Sequence, residues 1–144
     1  FFKLPEVYFS EYDKSRIRKA NKEDLSKILE LDFSATGEKR SSFIMNRLDE
    51  CFVYEDGDIE GFFLPLLGNG FIVASQHKAG IELLNFRCTT NKKVIVVPDE
   101  NKEAISYLIE KQFTEGYSIP RMTLGKEPQW QPGMIYNRAS GYTG

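Results

Sequence analysis

The sequence predicts an α+β (mixed α/β) fold, a central twisted mixed sheet of about six or seven strands flanked by about four helices. Three observations carry that expectation. Val94, Ile95, Val96 and Val97 form a continuous β-branched run closed by Pro98, the pattern of a strand covered on both faces. Directly after it, Ala104, Ile105, Leu108, Ile109 and Phe113 recur at helical spacing, with Asp99 or Asn101 placed to cap the first free amides. Earlier in the chain, strand-like runs at 51–54, 59–67 and 71–74 are separated by turn clusters, which describes an antiparallel meander.

The elements follow in order. Residues 1–15 carry Phe1, Phe2, Tyr8, Phe9 and Tyr12 among charges and Pro5, too aromatic for a solvated linker, so this arm is expected to dock. Residues 16–20 read as a short strand. Asn21 then caps a helix whose buried stripe is Leu25, Ile28 and Leu29, and a break follows at 34–37. Phe43, Ile44, Arg47 and Leu48 predict a second helix from Gly37 to about Glu50. The cluster Glu55-Asp56-Gly57-Asp58 turns one hairpin, and Gly68-Asn69-Gly70 turns the next. Ala79, Leu83, Leu84 and Phe86 mark a third helix before the strand and helix described above. Residues 122–124 and 134–136 offer two late strands around Pro128 and Pro132. The division expected is an aromatic arm or interdomain linker over 1–15 and one folded domain over 16–144.

Composition narrows the partners. At 144 residues and 16.6 kDa the chain has the size of one ordinary domain. Its net charge of -2 comes from dispersed acids and bases, with no basic block of the kind nucleic acid needs. No apolar run approaches the roughly 20 residues of a spanning helix, so no membrane partner is expected. Cys51 and Cys88 lack metal-ligand spacing and His77 is the single histidine; the reading is two reduced cysteines in a cytoplasmic protein, with no metal. The chain begins at Phe1, which fits a piece of a longer protein.

This order of elements, with Asn101-x-x-Ala104-Ile105 and Phe113, resembles the GNAT acetyltransferase superfamily and its pattern Asn-x-x-Ala-Ile-x-Leu-Tyr-x-x-x-Gly-Phe. Leu108 stands where that pattern has its tyrosine acid, Tyr107 lies one residue early, and Gln112 stands at the glycine. The family's Gln/Arg-x-x-Gly-x-Gly/Ala loop, which holds the pyrophosphate of acetyl-CoA, corresponds to Gln76-His77-Lys78-Ala79-Gly80-Ile81, with Ala79 at the first glycine and the β-branched Ile81 at the second small residue. The stretches 31–40, Ile72-Val73-Ala74, Pro120-Arg121-Met122 and Ile135-Tyr136 through Tyr142 look most like the C-terminal GNAT-like domain of tandem-GNAT proteins. In such proteins a preceding domain carries the cofactor loop.

The resemblance implies a degenerate half that shapes or caps the substrate site of a catalytic partner domain. The alternatives are an active acetyl-CoA-dependent N-acetyltransferase acting on a small amine or peptide amine, and a protein-interaction module. Acetyl-CoA is the cofactor implied for the parent protein. The partner implied is a preceding GNAT domain, or a second copy held through the aromatic arm. Candidates for proton transfer are Tyr107 and Glu60. For the cofactor they are Ile72, Val73, Ala74 and Asn101. For ligand binding they are Asp32, Arg40, Arg121 and Tyr136, although Asp32 and Arg40 also read as a structural ion pair across the interhelical break. His77 reads as a solvated loop residue.

Overall fold

The computed structural model describes residues 1–3, 11–90, 94–116 and 129–138. Its strands are β1 (Phe2–Lys3), β2 (Ile17–Lys19), β3 (Phe52–Asp56), β4 (Asp58–Leu64), β5 (Phe71–Ala74), β6 (Val94–Ile95), β7 (Thr114–Glu115) and β8 (Ile135–Asn137). Its helices are α1 (Leu25–Thr36), α2 (Ser41–Met45), α3 (His77–Cys88) and α4 (Lys102–Glu110). The strands form an antiparallel sheet in the order β2-β3-β4-β5-β8 and a second sheet in the order β6-β1-β7. The two sheets meet beyond β6. There the Arg138 amide donates to the Val96 carbonyl at 2.8 Å, and the Val96 amide donates to Asn137 Oδ1 at 2.8 Å.

Alternation along the strands divides the core into two layers. Tyr54, Phe63 and Ile72 face α3 and α4, where Leu83, Leu84, Ala104 and Leu108 complete one cluster. Val53, Phe62 and Val73 face the other way, onto Ile28, Leu31 and Ala35 of α1 and Ile44 of α2. A sheet with helices on both faces results, and it is the predicted α+β class.

Local chemistry explains where the elements stop. Asn21 caps a 3-10 turn before α1, accepting from Glu23 N, while the Asp24 side chain accepts in return from Asn21 N. The four-residue turn expected at 55–58 is tighter: β3 runs to Asp56 and β4 restarts at Asp58, leaving only Gly57 outside the strands. β4 ends at Leu64 rather than Leu67, because Pro65 has no amide to give a ladder. The second helix is shorter than expected, five residues of α2 followed by a separate 3-10 turn at Leu48–Glu50. β1 and β7 were not legible in the sequence, and the strand expected at 122–124 lies outside the described residues.

Both described ends of the aromatic arm dock on this chain. Phe2 is 3% exposed within the sheet, while Tyr12 packs on Phe86 with ring centroids 5.1 Å apart and Asp13 N donates to Glu82 Oε2 at 2.6 Å.

The end of α4 falls at the position where the resembled pattern has glycine. Gln112 has φ 65, the left-handed region, and it is the only described residue other than glycine with positive φ. Phe113 N donates to Leu108 O and Gln112 N to Ile109 O, each at 3.0 Å, which is a Schellman closure with Leu108 and Phe113 both buried in one cluster. Gln112 holds the left-handed shape that glycine adopts most easily, and an L side chain there costs about 1 kcal/mol. Gln112→Gly is therefore expected to raise the unfolding free energy by about 1 kcal/mol in urea titrations; a loss of stability would show that the Gln112 side chain outweighs the strain.

Candidate functional site

The crevice between the β5–α3 and β6–α4 units is where the chemistry-bearing residues collect, and β8 lies inside it. On one side β8 pairs with β5, Ile72 opposite Asn137 and Val73 opposite Ile135, with an irregularity between them. On the other side it is stitched to Val96 by the two bonds described above. From below, Asn101 donates through Nδ2 to Ile135 O at 2.8 Å while its Oδ1 accepts from Ala104 N at 3.1 Å. Asn101 thus caps α4 and holds β8 with one side chain, which resolves the choice between Asp99 and Asn101 as the cap.

Tyr136 sits at the centre. Its ring lies against Gly80 in the first turns of α3, and a Cβ built on Gly80 would meet three ring atoms closer than 3.0 Å. Its hydroxyl lies 3.1 Å from His77 Nδ1, and that nitrogen is also 3.3 Å from Glu103 Oε2 at the start of α4. Burial pushes the Tyr136 hydroxyl up to about 12, the Glu103 charge adds to this, and a hydrogen bond with Asn101 opposes it. The hydroxyl therefore stays protonated near neutral pH. His77 is exposed, as expected, but it is the first residue of α3 and not a loop residue, and its ring nitrogen lies between Tyr136 and Glu103.

Deeper in, two further side chains fasten the crevice. Arg87, fully buried in the last turn of α3, donates from Nε to Asn69 O at 2.9 Å and from Nη2 to Val94 O. Burial pulls its guanidinium down to about 10, still charged at neutral pH, and the carbonyl end of α3 favours a cation there. Asn137 donates to the same Asn69 carbonyl at 3.1 Å and to Gly70 O.

The remaining candidates are dispersed. Tyr107 does not enter the crevice: its hydroxyl meets the Asn85 side chain at 2.9 and 3.0 Å, clasping α4 to α3. Leu108, one residue on, is fully buried. Glu60 is half-buried at the far end of β4, where its carbonyl accepts from Ser75 N at 2.8 Å. Ala74 is buried opposite Gly61. Asp32 and Arg40 form a bidentate ion pair, Nε to Oδ2 at 3.0 Å and Nη2 to Oδ1 at 2.6 Å, with Asp32 1% exposed and the guanidinium over the Phe71 ring at 5.2 Å. That geometry spends both groups on joining the loop after α1 to the sheet. Arg121 lies outside the described residues. The structure thus brings together Ile72, Val73, Asn101 and Tyr136 and leaves Tyr107, Glu60, Asp32 and Arg40 apart. His77, Glu103, Arg87 and Asn137 join the cluster without a local sequence signal.

The sequence matches a family model described as an acetyltransferase (GNAT) domain over residues 28–137, more than half of the chain. The chain belongs to that family. The crystal structure of a "Putative Acetyltransferase" from Pyrococcus horikoshii is similar in fold to this GNAT domain, with a TM-score of 0.69 at 20% identity. The match covers 99% of this chain and 50% of that one, so the GNAT domain spans half the length of that protein. No curated protein matches the sequence. Among the described residues no helix is long and apolar enough to cross a membrane.

The contact of Tyr136 with Gly80 gives a stability test. Gly80→Ala gains helix propensity but drives a methyl into a packed ring, and overpacking of this kind costs about 1–3 kcal/mol. The variant is expected to lose about 1–2 kcal/mol in urea unfolding. Combined with Tyr136→Val it should cost less than the sum of the two single changes. Additive losses would show that the ring does not fill this space.

Proposed function

We propose that this chain is the non-catalytic half of a two-domain acetyltransferase-family protein, one that does not take up acyl-CoA and instead shapes or caps the substrate site of a catalytic partner domain. The observation that carries this reading is β8. In the family that this chain belongs to, the acyl-CoA lies in the splay beside the strand equivalent to β5 and is held by that strand's amides. Here Ile72 and Val73 are paired with β8, and the Asn101 side chain is committed to Ile135 O and Ala104 N.

Three further features support it. Ala79 and Ile81, at the small positions of the phosphate loop, lie inside α3, and the Tyr136 ring covers the glycine between them. Leu108, at the position of the tyrosine acid, has no ionisable group, and the hydroxyl of Tyr107 is engaged by Asn85. The Pyrococcus horikoshii protein has a second half that this chain does not match, which is the size a catalytic partner domain requires. The setting that fits is the cytoplasm, with Cys51 and Cys88 free and buried and their thiols pushed by burial up to about 12 and about 11.

Calorimetric titration of the chain with acetyl-CoA tests the reading. The expected result is no stoichiometric heat, together with acetyl transfer to a panel of amines that stays at the uncatalysed rate. Stoichiometric binding with a Kd of about 10 µM or tighter would overturn it.

A further inference from the structure

The hydroxyl of Tyr54 has no hydrogen-bond partner, although the residue is fully buried. A phenol in that position gives up its hydration without a replacement, a cost that asks for a missing partner. Tyr54 lies in β3 on the face covered by α3, opposite Ile17 and Gly61. What surrounds its hydroxyl is charged. Burial pushes the hydroxyl up, the Arg16 charge draws it down, and the carboxylates of Asp56, Glu82 and Glu60 push it up again. Side chains from the start of β2, the end of β3, α3 and β4 therefore converge on one orphaned oxygen.

A β-bulge brings Glu60 there. Tyr54 pairs with Gly61 but Glu55 pairs with Ile59, so Glu60 is an extra residue without a partner across the strands. A bulge re-aims the side chain it carries, and bulges recur beside binding sites for that reason. Ile59 belongs to the core on the α1 face, whereas a Cβ on Gly61 would meet Leu83 Cδ1 of α3 at 2.9 Å. The half-buried Glu60 carboxylate makes no ion pair among the described residues. The other charges form a chain that stops short of it. Asp13 N donates to Glu82 Oε2 at 2.6 Å, Asp13 Oδ2 accepts from Arg16 Nε at 3.0 Å, and Arg16 Nη1 pairs with Asp56. Arg16 is thereby spent on Asp13 and Asp56. The Glu60 carboxylate, Glu82 Oε1 and the Tyr54 oxygen are left as acceptors in one neighbourhood, which opens to solvent because Asp56 is exposed and Glu82 half-buried.

A cluster of acceptors with an excess of negative charge fits a group that brings several N–H donors and one positive charge, as an ammonium does. We propose that the site bounded by Tyr54, Glu60 and Glu82 binds a primary alkylammonium group, carried by a free amine or by a lysine side chain. No group of three metal-ligating side chains stands among the described residues, which favours an organic cation over a metal ion. None of these side chains belongs to the crevice around β8, so the inference does not depend on whether the domain binds acyl-CoA.

Amide NMR titrations test it, with n-butylammonium and Nα-acetyl-lysine amide as probes. Tetramethylammonium, which has the charge without an N–H, is the control at equal ionic strength. The expected result is a saturable shift of the Glu60, Gly61 and Glu82 amides with at least one primary amine and none with tetramethylammonium. Glu60→Gln and Tyr54→Phe should each weaken that binding several-fold. The probe that binds tighter identifies the source, a free amine or a lysine side chain. In urea, Tyr54→Phe should unfold at the same midpoint as the parent chain, because the hydroxyl it lacks had no partner to lose. An equal response to all three cations would overturn the proposal, since the acids would then only gather counterions. So would the absence of a saturable shift with either amine, or unchanged affinity in both variants. A clear fall in the Tyr54→Phe midpoint would overturn it as well, because the hydroxyl would already be satisfied in the free protein.

Discussion

Two buried donors converge on one backbone carbonyl. Arg87 from α3 and Asn137 from β8 both give hydrogen bonds to Asn69 O, in the turn that feeds β5. The same two side chains reach across to the other unit, Arg87 to Val94 O and Asn137 to Val96 N. Because buried backbone groups must find partners, these bonds fix the distance between β5 and β6 at the width of one intervening strand. Removing either side chain would strand carbonyls or an amide in an apolar interior, so the wedge is stabilised by the cost of leaving it.

That constraint organises what lies on either side. β8 arrives with an irregular register against β5, and the Asn137 amide stands in for a backbone group toward Val96, so a three-residue strand satisfies two neighbours. α3 and α4, which follow β5 and β6, are drawn together over it by His77 with Glu103 at one end and Asn85 with Tyr107 deeper along the helices. Tyr136 fills the remaining space under the first turns of α3. With β8 in the space between the two units the core stays continuous, Ala79 is buried in α3 and Gly80 lies under the Tyr136 ring.

The sheet, the four helices and the core were legible because they rest on short-range periodicity: the 71–74 run, the stripe along α1 and the Asn101 cap all read out within a few residues. β1 and β7 were not, since two residues carry no period and their pairing joins distant parts of the chain. Gln112 shows a subtler limit. A pattern comparison marks a missing glycine, but only backbone geometry shows that the position terminates α4. His77 is exposed as expected, but its place at the start of α3 and its contact with Tyr136, 59 residues away, were not legible from its polar neighbours Gln76 and Lys78. The site could not be assembled from sequence for the same reason. Asn137 meets Val96 and Gly70 at separations of 41 and 67 residues, and no local signal encodes such a contact.

The central claim is that β8 itself occupies the space beside β5. Residue-resolved amide hydrogen exchange measures it most directly, because the Val96 amide is bonded to the Asn137 side chain and the Arg138 amide to Val96 O. The account predicts that both amides exchange slowly, at the rate of the core strands, and that saturating acetyl-CoA leaves these rates unchanged. Fast exchange at Val96 and Arg138 in the free protein, or a change in their protection on adding the cofactor, would contradict it.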